Sequence, residues 1–68
     1  MRHLVEFSAS MVVADNDAFV DNEATEVARI LREVADDIAA STTYCEGDLR
    51  DINGNTVGSF LFDVTRDE

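Results

Sequence analysis

The hydrophobic pattern of this chain changes its period along the sequence, and this change constrains the fold more than any other feature. The first segment, residues 3–13, alternates apolar with polar side chains. A period of two that includes β-branched and aromatic residues is typical of a half-buried β-strand. The sequence therefore predicts a strand over about 3–13, whose inward face carries Val5, Phe7, Ala9, Met11 and Val13.

Residues 22–40 change to helical spacing. Apolar side chains recur there three or four positions apart, which is the pattern of an amphipathic helix. Asp21 or Asn22 is suited to cap the first turn, because these side chains accept hydrogen bonds from free backbone amides. We predict a helix over about 22–40, with an apolar stripe formed by Val27, Leu31, Val34 and Ile38.

The stretch RDINGNTVGSFLF, residues 50–62, is the most patterned part of the chain. Asn53-Gly54 lies there between two runs of alternating side chains, and Asn-Gly is a strong hairpin signal because both residues tolerate a positive φ. The sequence predicts a β-hairpin with strands over about 43–52 and 56–64.

A calcium-binding loop is the alternative reading of the same stretch. An EF-hand loop beginning at Asp51 would place Asn53 and Asn55 at its third and fifth positions, as the motif requires. The motif also needs Gly at position six and Glu at position twelve, where this chain has Thr56 and Phe62. Phe62 has no ligand atom for a cation, so the sequence favours the hairpin and predicts no metal site.

These elements follow one another in the order β-α-β-β and form a single α+β domain over residues 1–68. We predict a three-stranded antiparallel sheet with the helix packed on one face. If the last strand lies between the other two, every neighbouring pair is antiparallel, and we expect that order. The uncovered sheet face would carry Val12, Val57 and Leu61. This face, or an unpaired edge of the sheet, would be a candidate contact for a homodimer.

Acidic residues dominate the composition. Fifteen Asp and Glu stand against five basic residues, all of them Arg, and the formal net charge is −10. A field of that sign repels nucleic acids and anionic membrane surfaces, which excludes direct binding to either. It favours a basic protein surface as the partner, including the nucleic-acid groove of another complex. Solubility, or adaptation to high salt, is the alternative explanation of the charge.

Eight of the acids lie between residues 15 and 37, in the loop before the helix and on the helix itself. Carboxylates spaced by one or two helical turns can imitate the phosphates that a basic groove binds. A solvated helix face is the alternative. The residues that we predict to bind a partner are Asp15, Asp17, Glu23, Glu26, Glu33, Asp36 and Asp37.

Catalytic signatures are missing from the sequence. His3 and Cys45 are too few to close a zinc site, and a Cys–His nucleophilic pair also needs an orienting group and a cleft. Asp36 and Asp37 are adjacent on a helix and point about 100° apart, so they cannot share a proton. We predict no enzymatic activity and no cofactor.

Targeting segments are also missing from the pattern. The N-terminal run alternates instead of forming a continuous apolar core, and no apolar run approaches the roughly 20 residues that span a bilayer. We expect a cytoplasmic protein without membrane association.

The helix ATEVARILREVADD, followed by LRDINGNTVGSF, resembles the short acidic proteins of phages and other mobile elements. Anti-CRISPR and DNA-mimic inhibitors are similar in size and charge. The resemblance implies an accessory protein that acts in a host cytoplasm and blocks a host complex. It implies no particular site residues.

Two functional hypotheses follow. The first is a non-enzymatic inhibitor that occupies a basic, nucleic-acid-binding surface of a host complex. The alternative is a self-associating structural or regulatory module, whose acidity serves solubility or salt adaptation.

Overall fold

The computed structural model describes residues 2–67. Its elements are β1 (Arg2–Met11), a 3-10 turn (Asp17–Phe19), α1 (Glu23–Ser41), β2 (Tyr44–Arg50) and β3 (Thr56–Asp67). The strands form one sheet in the order β1-β3-β2, and both neighbouring pairs are antiparallel. The predicted α+β class and the central position of the last strand are therefore confirmed.

The element boundaries differ from the sequence expectation mainly at the strand ends. The helix is displaced by one residue, whereas β1 ends at Met11, two residues earlier than predicted. β3 continues past residue 64 to Asp67, because its last residues pair with the start of β1, with His3 opposite Arg66. This pairing joins residues far apart in the sequence, and no local pattern predicts it.

The hairpin between β2 and β3 is closed by a three-residue loop. The Asp51 N–H donates to the Asn55 carbonyl and the Gly54 N–H donates to the Asp51 carbonyl, each at 2.9 Å. Gly54 has a φ of +85°, the left-handed conformation in which a type I turn followed by a bulge ends. The predicted hairpin is thus observed, but Asn53 does not share the positive φ that a two-residue loop would require.

The core forms between α1, the 3-10 turn and one end of the sheet. Ile30 and Val34 of α1 join Leu49 of β2 and Phe60 of β3, and Ala18 and Phe19 complete the cluster. Ile30 is the most deeply buried of these side chains, with 1% of its surface exposed. α1 contacts β2 and the 3-10 turn, so this end of the molecule carries most of the apolar packing.

The opposite end of the sheet extends beyond this core. Val5 and Phe7 are 57% and 53% exposed, although the sequence predicted that they would face a core. The molecule measures 48 × 19 × 17 Å and has a radius of gyration of 14.2 Å, against about 11 Å for a compact domain of this length. The predicted burial of this part of β1 is therefore wrong for the isolated chain.

The three apolar residues that were expected on the uncovered sheet face are distributed differently. Val12 follows β1 and is 89% exposed, as expected. Val57 instead packs against the core cluster, beside the register shift at the start of β3. Leu61 is half-buried on the sheet face opposite Phe60, with Ser8 and Glu46 as its cross-strand neighbours.

Candidate partner-binding surface

The seven acids predicted to bind a partner do not form one continuous surface. Asp15, Asp17 and Glu23 lie at the start of α1, whereas Glu33, Asp36 and Asp37 lie in its second half. Fourteen residues separate Glu23 from Asp37, which corresponds to about 20 Å along a helix axis. Glu26 belongs to neither group, because it is buried.

The group at the helix start surrounds the 3-10 turn. Asn16 caps this turn, since its side-chain oxygen accepts a hydrogen bond of 2.9 Å from the Ala18 N–H. Asp15 and Glu23 line a surface depression together with apolar side chains, among them Phe19. Both carboxylates are exposed, and Glu23 lies in the first turn of α1, where the helix dipole favours an anion.

Glu26 has an internal structural role. Its carboxylate accepts two hydrogen bonds from Arg29, at 2.7 and 2.9 Å, and a third of 2.8 Å from the Ile52 N–H of the hairpin loop. The Arg29 hydrogen bonds are the main reason why the pKa of Glu26 lies below its ordinary value, and the Ile52 N–H lowers it further against the effect of burial. With 3% of its surface exposed, Glu26 joins the helix to the loop and offers no charge to a partner.

Arg29 organises the helix face beside it. Besides Glu26, it donates to Glu33 at 2.9 Å and to the Arg50 carbonyl of β2 at 3.2 Å. The hydrogen bonds from Arg29 to Glu26 raise the pKa of the guanidinium above its ordinary value. Glu33 is exposed, but part of its charge is neutralised by this pair.

Like those of Asp15, Asp17 and Glu23, the carboxylates of Asp36 and Asp37 have no partner inside the described part of the chain. Both are exposed, and within residues 2–67 neither side chain has an ion pair or a hydrogen bond. They precede the helix end at Ser41, where the dipole disfavours anions. Asp37 and Glu33 line one narrow cleft with Asp48 and Arg50 of β2. We define Glu33, Asp36 and Asp37 as the helix-end acidic surface.

Asp51 is the acid whose role the sequence analysis missed. Its carboxylate is buried and accepts hydrogen bonds from the N–H groups of Asn53 and Asn55, at 2.9 and 2.8 Å. The side-chain amides of Asn16 and Asn55 donate to its other oxygen, at 2.8 and 3.1 Å. The hydrogen bond from Asn16 is the main cause that holds the pKa of Asp51 below its ordinary value.

These contacts give the D-x-N-x-N spacing a structural explanation. The positions that resemble calcium ligands supply hydrogen-bond donors to Asp51, and Asn16 ties the loop to the segment before α1. In the described part of the chain, no three His, Cys, Asp or Glu side chains are grouped as a metal would require. The signal for this role was present in the sequence, since Asp at the start of a turn commonly accepts from the amides that follow it.

His3 and Cys45 are not neighbours. Cys45 lies opposite Phe62 and in the same row of the sheet as Phe7, whereas His3 lies four residues further along β1. Four residues of a strand span about 13 Å, too far for a shared ion or a proton transfer. The sheet therefore separates the two side chains that could have formed a nucleophilic pair.

Across residues 2–67, no helix combines the length and the apolar character needed to cross a bilayer. Comparison with family models, with curated proteins and with solved structures found nothing that matches this chain.

Proposed function

We propose that this chain is a small, acidic, non-enzymatic interaction protein, and that its helix-end acidic surface binds a basic surface of another protein. The observation that supports this proposal most directly is the exposure of Asp36 and Asp37 without an internal partner. Both lie just before the last turn of α1, where the unfavourable effect of the helix dipole on an anion is already weak. Within residues 2–67 no ion pair or hydrogen bond involves either side chain, whereas an Arg or Lys of a partner would pair with them.

The charge of the whole chain favours the same class of partner. With a net charge of −10, the molecule attracts cationic surfaces from a distance and repels nucleic acids and anionic membranes. Successive turns of α1 are 5.4 Å apart, so Glu33 and Asp37 present carboxylates at intervals that a phosphate-binding groove can accept. The proposed partner is therefore a nucleic-acid-binding protein surface, as it is for anti-CRISPR and DNA-mimic inhibitors, in the cytoplasm of a host cell.

Asp15, Asp17 and Glu23 form the second exposed group of carboxylates. Glu23 lies about 20 Å along the helix axis from Asp37, so one extended groove could contact both groups. The helix-start group gives weaker support for a partner contact, because the positive end of the helix dipole already stabilises Glu23. We therefore assign the primary contact to Asp36 and Asp37.

A pair of matched variants tests the proposal. The tagged protein is used to capture partners from the lysate of its source cells at 0.05 M and 0.5 M NaCl, and captured proteins are identified by mass spectrometry. We expect a nucleic-acid-binding protein at low salt only, because surface charges are screened within a few ångströms at the higher salt. Asp36→Lys/Asp37→Lys should abolish its capture, and Asp15→Lys/Asp17→Lys, with the same change of charge, should retain most of it.

Two results would contradict the proposal. An equal loss for the two double variants would contradict the assignment of the primary contact to the helix end, because it would come either from the net charge or from a groove that contacts both groups equally. Full capture by Asp36→Lys/Asp37→Lys would remove the acidic surface from consideration. In that case the acidity would serve solubility or salt tolerance, and the alternative of a self-associating module would stand on the separate apolar surface described next.

A further inference from the structure

A second candidate interface lies at the end of the sheet that the helix does not reach. Val5 and Phe7 of β1 lie opposite Val64 and Phe62 of β3, so the four side chains form two adjacent apolar rows. We call these four residues the distal apolar face. They share a sheet face with Phe60, because side chains two residues apart point to the same side.

The distal apolar face lies on the same side of the sheet as the core, but α1 does not bury it as it buries Phe60. Phe60 is buried beside Ile30 and Val34 of α1, whereas Phe7, in the row next to Phe60, is 53% exposed. Val5, one row further from the helix, is 57% exposed. A pair of facing Phe side chains with an exposed ring is unusual on a monomer surface and indicates a contact site when it belongs to a contiguous patch.

The total surface of the chain is larger than that of a compact monomer of the same mass. A folded monomer of 7.5 kDa is expected to expose about 4,200 Å², whereas this chain exposes 4941 Å². The excess of roughly 700 Å² is close to the 800 Å² or so that each partner buries in a standard protein interface. The elongated shape, 48 Å in its longest dimension, is consistent with this larger surface.

The charges around the distal apolar face favour a second copy of this acidic chain as the occupant. His3 and Arg66 form the next row on the same side of the sheet, while Glu6 and Asp63 point to the opposite side. Among the described strand residues, this face therefore carries one Arg and no acid, on a molecule whose net charge is −10. Two copies would meet here without bringing the carboxylates of their strands together.

We propose that a second copy of this chain covers the distal apolar face, so that the protein is a two-fold homodimer. In such an interface the same patch is buried on both protomers, and the Phe7–Phe62 row of one protomer packs against that of its partner. Each chain then gains apolar cover for the part of its sheet that α1 leaves exposed, which adds to the small core that a domain of 68 residues builds alone. The dimer does not depend on the helix-end acidic surface, which lies on a different element.

The first measurement is the mass of the wild-type protein by sedimentation equilibrium, from about 1 to 500 µM and at 0.05 and 0.5 M NaCl. We expect twice the 7.5 kDa of one chain, with tighter association at the higher salt, because screening weakens the repulsion between two anionic copies. This salt response is opposite to the one expected for a basic partner. A wild-type protein that stays monomeric over the whole range overturns the proposal.

Two matched variants then locate the interface. Phe7→Glu introduces a charge at the centre of the distal apolar face, and Val12→Glu makes the same change of charge at an exposed site beyond the end of β1. We expect Phe7→Glu to raise the dimer dissociation constant by at least about 30-fold, as a change to a central interface residue does, and Val12→Glu to leave it nearly unchanged.

Because Phe7 is already half exposed in the single chain, Phe7→Glu should affect dimerisation more than folding, and the two effects can be told apart. If Phe7→Glu dimerises as tightly as Val12→Glu, the distal apolar face is not the interface and the proposal fails. If Phe7→Glu does not fold at all, the melting temperature of the wild type decides. A melting temperature that rises with protein concentration supports the dimer, and one that is independent of concentration overturns it. Asp36→Lys/Asp37→Lys should remain dimeric, so a failure of the charge-mediated proposal leaves this result intact.

Discussion

At the scale of single residues, two buried acids, Glu26 and Asp51, stabilise the fold through hydrogen bonds. The sequence predicted that Glu26 would be a surface charge that binds a partner. Glu26 and Asp51 are 3% and 4% exposed. Glu26 accepts hydrogen bonds from Arg29 of its own helix and from the Ile52 N–H of the β2–β3 loop. Asp51 accepts from Asn53 and Asn55 of that loop and from the Asn16 side chain. Arg29 and Asn16 connect these acids to the helix and to the preceding turn. The β2–β3 loop is therefore fixed by side-chain hydrogen bonds as well as by its own backbone turn.

Removing the Asp51 charge should destabilise the fold in a pH-dependent way. The folded-state pKa of Asp51 is held below the ordinary value of 3.8, so the carboxylate contributes stability that is complete above about pH 5 and is lost as the pH falls. Asp51→Asn places an amide against the side-chain amides of Asn16 and Asn55, which already donate to this position. We expect a clear loss of melting temperature at pH 7 and a much smaller difference from wild type near pH 2.5.

Asp36→Asn is the control for the Asp51 experiment, because it removes the same charge at an exposed site. We expect it to leave the melting temperature at pH 7 unchanged or slightly higher, since it also relieves a carboxylate from the helix C-terminus. A defect of Asp51→Asn that is equally large at both pH values would show that it comes from the contacts between amide groups and not from the loss of the ionised carboxylate.

At the scale of elements, local patterns predicted most of the fold. The helix over 22–40 is observed at Glu23–Ser41, because helical spacing is a local pattern. The Asn53-Gly54 hairpin is predictable for the same reason. Leu31 of the predicted apolar stripe is nevertheless 47% exposed, and the N-cap Asn22 makes no capping hydrogen bond through its side chain. What could not be predicted is decided by long-range placement. Alternation in β1 indicates which face is apolar, but whether α1 reaches Phe7 depends on where the helix lies over the sheet.

The candidate site was also predictable only in the part that depends on local patterns. Exposure of Asp36 and Asp37 was predictable, since they lie off the apolar stripe. Burial of Glu26 was not, because it depends on the hairpin loop folding back over the first turns of α1 and donating the Ile52 N–H. A sequence window around residue 26 shows only an acid near a helix start, where solvent exposure is the usual outcome.

Gly58 is the glycine that the pairing of β1 with β3 requires. A Cβ atom at this position would lie 2.1 Å from the Ser10 carbonyl oxygen, which belongs to the backbone of the neighbouring strand and cannot turn away. We expect Gly58→Ala to destabilise the fold by about 1–3 kcal/mol, as overpacking does, and to weaken the end of the ladder near Met11. Chemical denaturation and amide exchange of β1 would measure the two effects.

Gly47→Ala is the matched control for Gly58→Ala, because the added Cβ would lie 3.3 Å from the Phe60 ring, a side chain that can shift. It should cost less than Gly58→Ala. Equal effects at the two positions would indicate that the loss of backbone flexibility common to both substitutions, and not the contact with Ser10, sets the stability change.

At the scale of the whole molecule, the fold joins an acidic helix end to an apolar sheet end. The core of Ile30, Val34, Leu49 and Phe60 occupies one part of an elongated body. The helix-end acidic surface and the distal apolar face lie on different elements, so a dimer through the sheet would leave both copies of the acidic surface accessible. One chain could in this way supply a self-association surface and a charged partner surface without sharing residues between them.

The net charge predicts how the stability of the molecule responds to salt. Fifteen acids against five Arg repel one another in the compact state more than in the unfolded chain, and 1 M salt shortens the screening length to about 3 Å. Raising NaCl from 0.05 to 1 M should therefore raise the melting temperature by about 5 °C, or roughly 1 kcal/mol for a domain of this size. Asp36→Asn/Asp37→Asn, which changes the net charge from −10 to −8, should show a smaller rise.

Salt also favours the proposed dimer, so each melting temperature is measured at two protein concentrations. The part of the rise that does not depend on concentration reports on charge repulsion within one chain. If that part is zero or negative, the loss of the Arg29 ion pairs to screening outweighs the relief of repulsion, and the acidity is not a source of strain that salt or a basic partner could relieve.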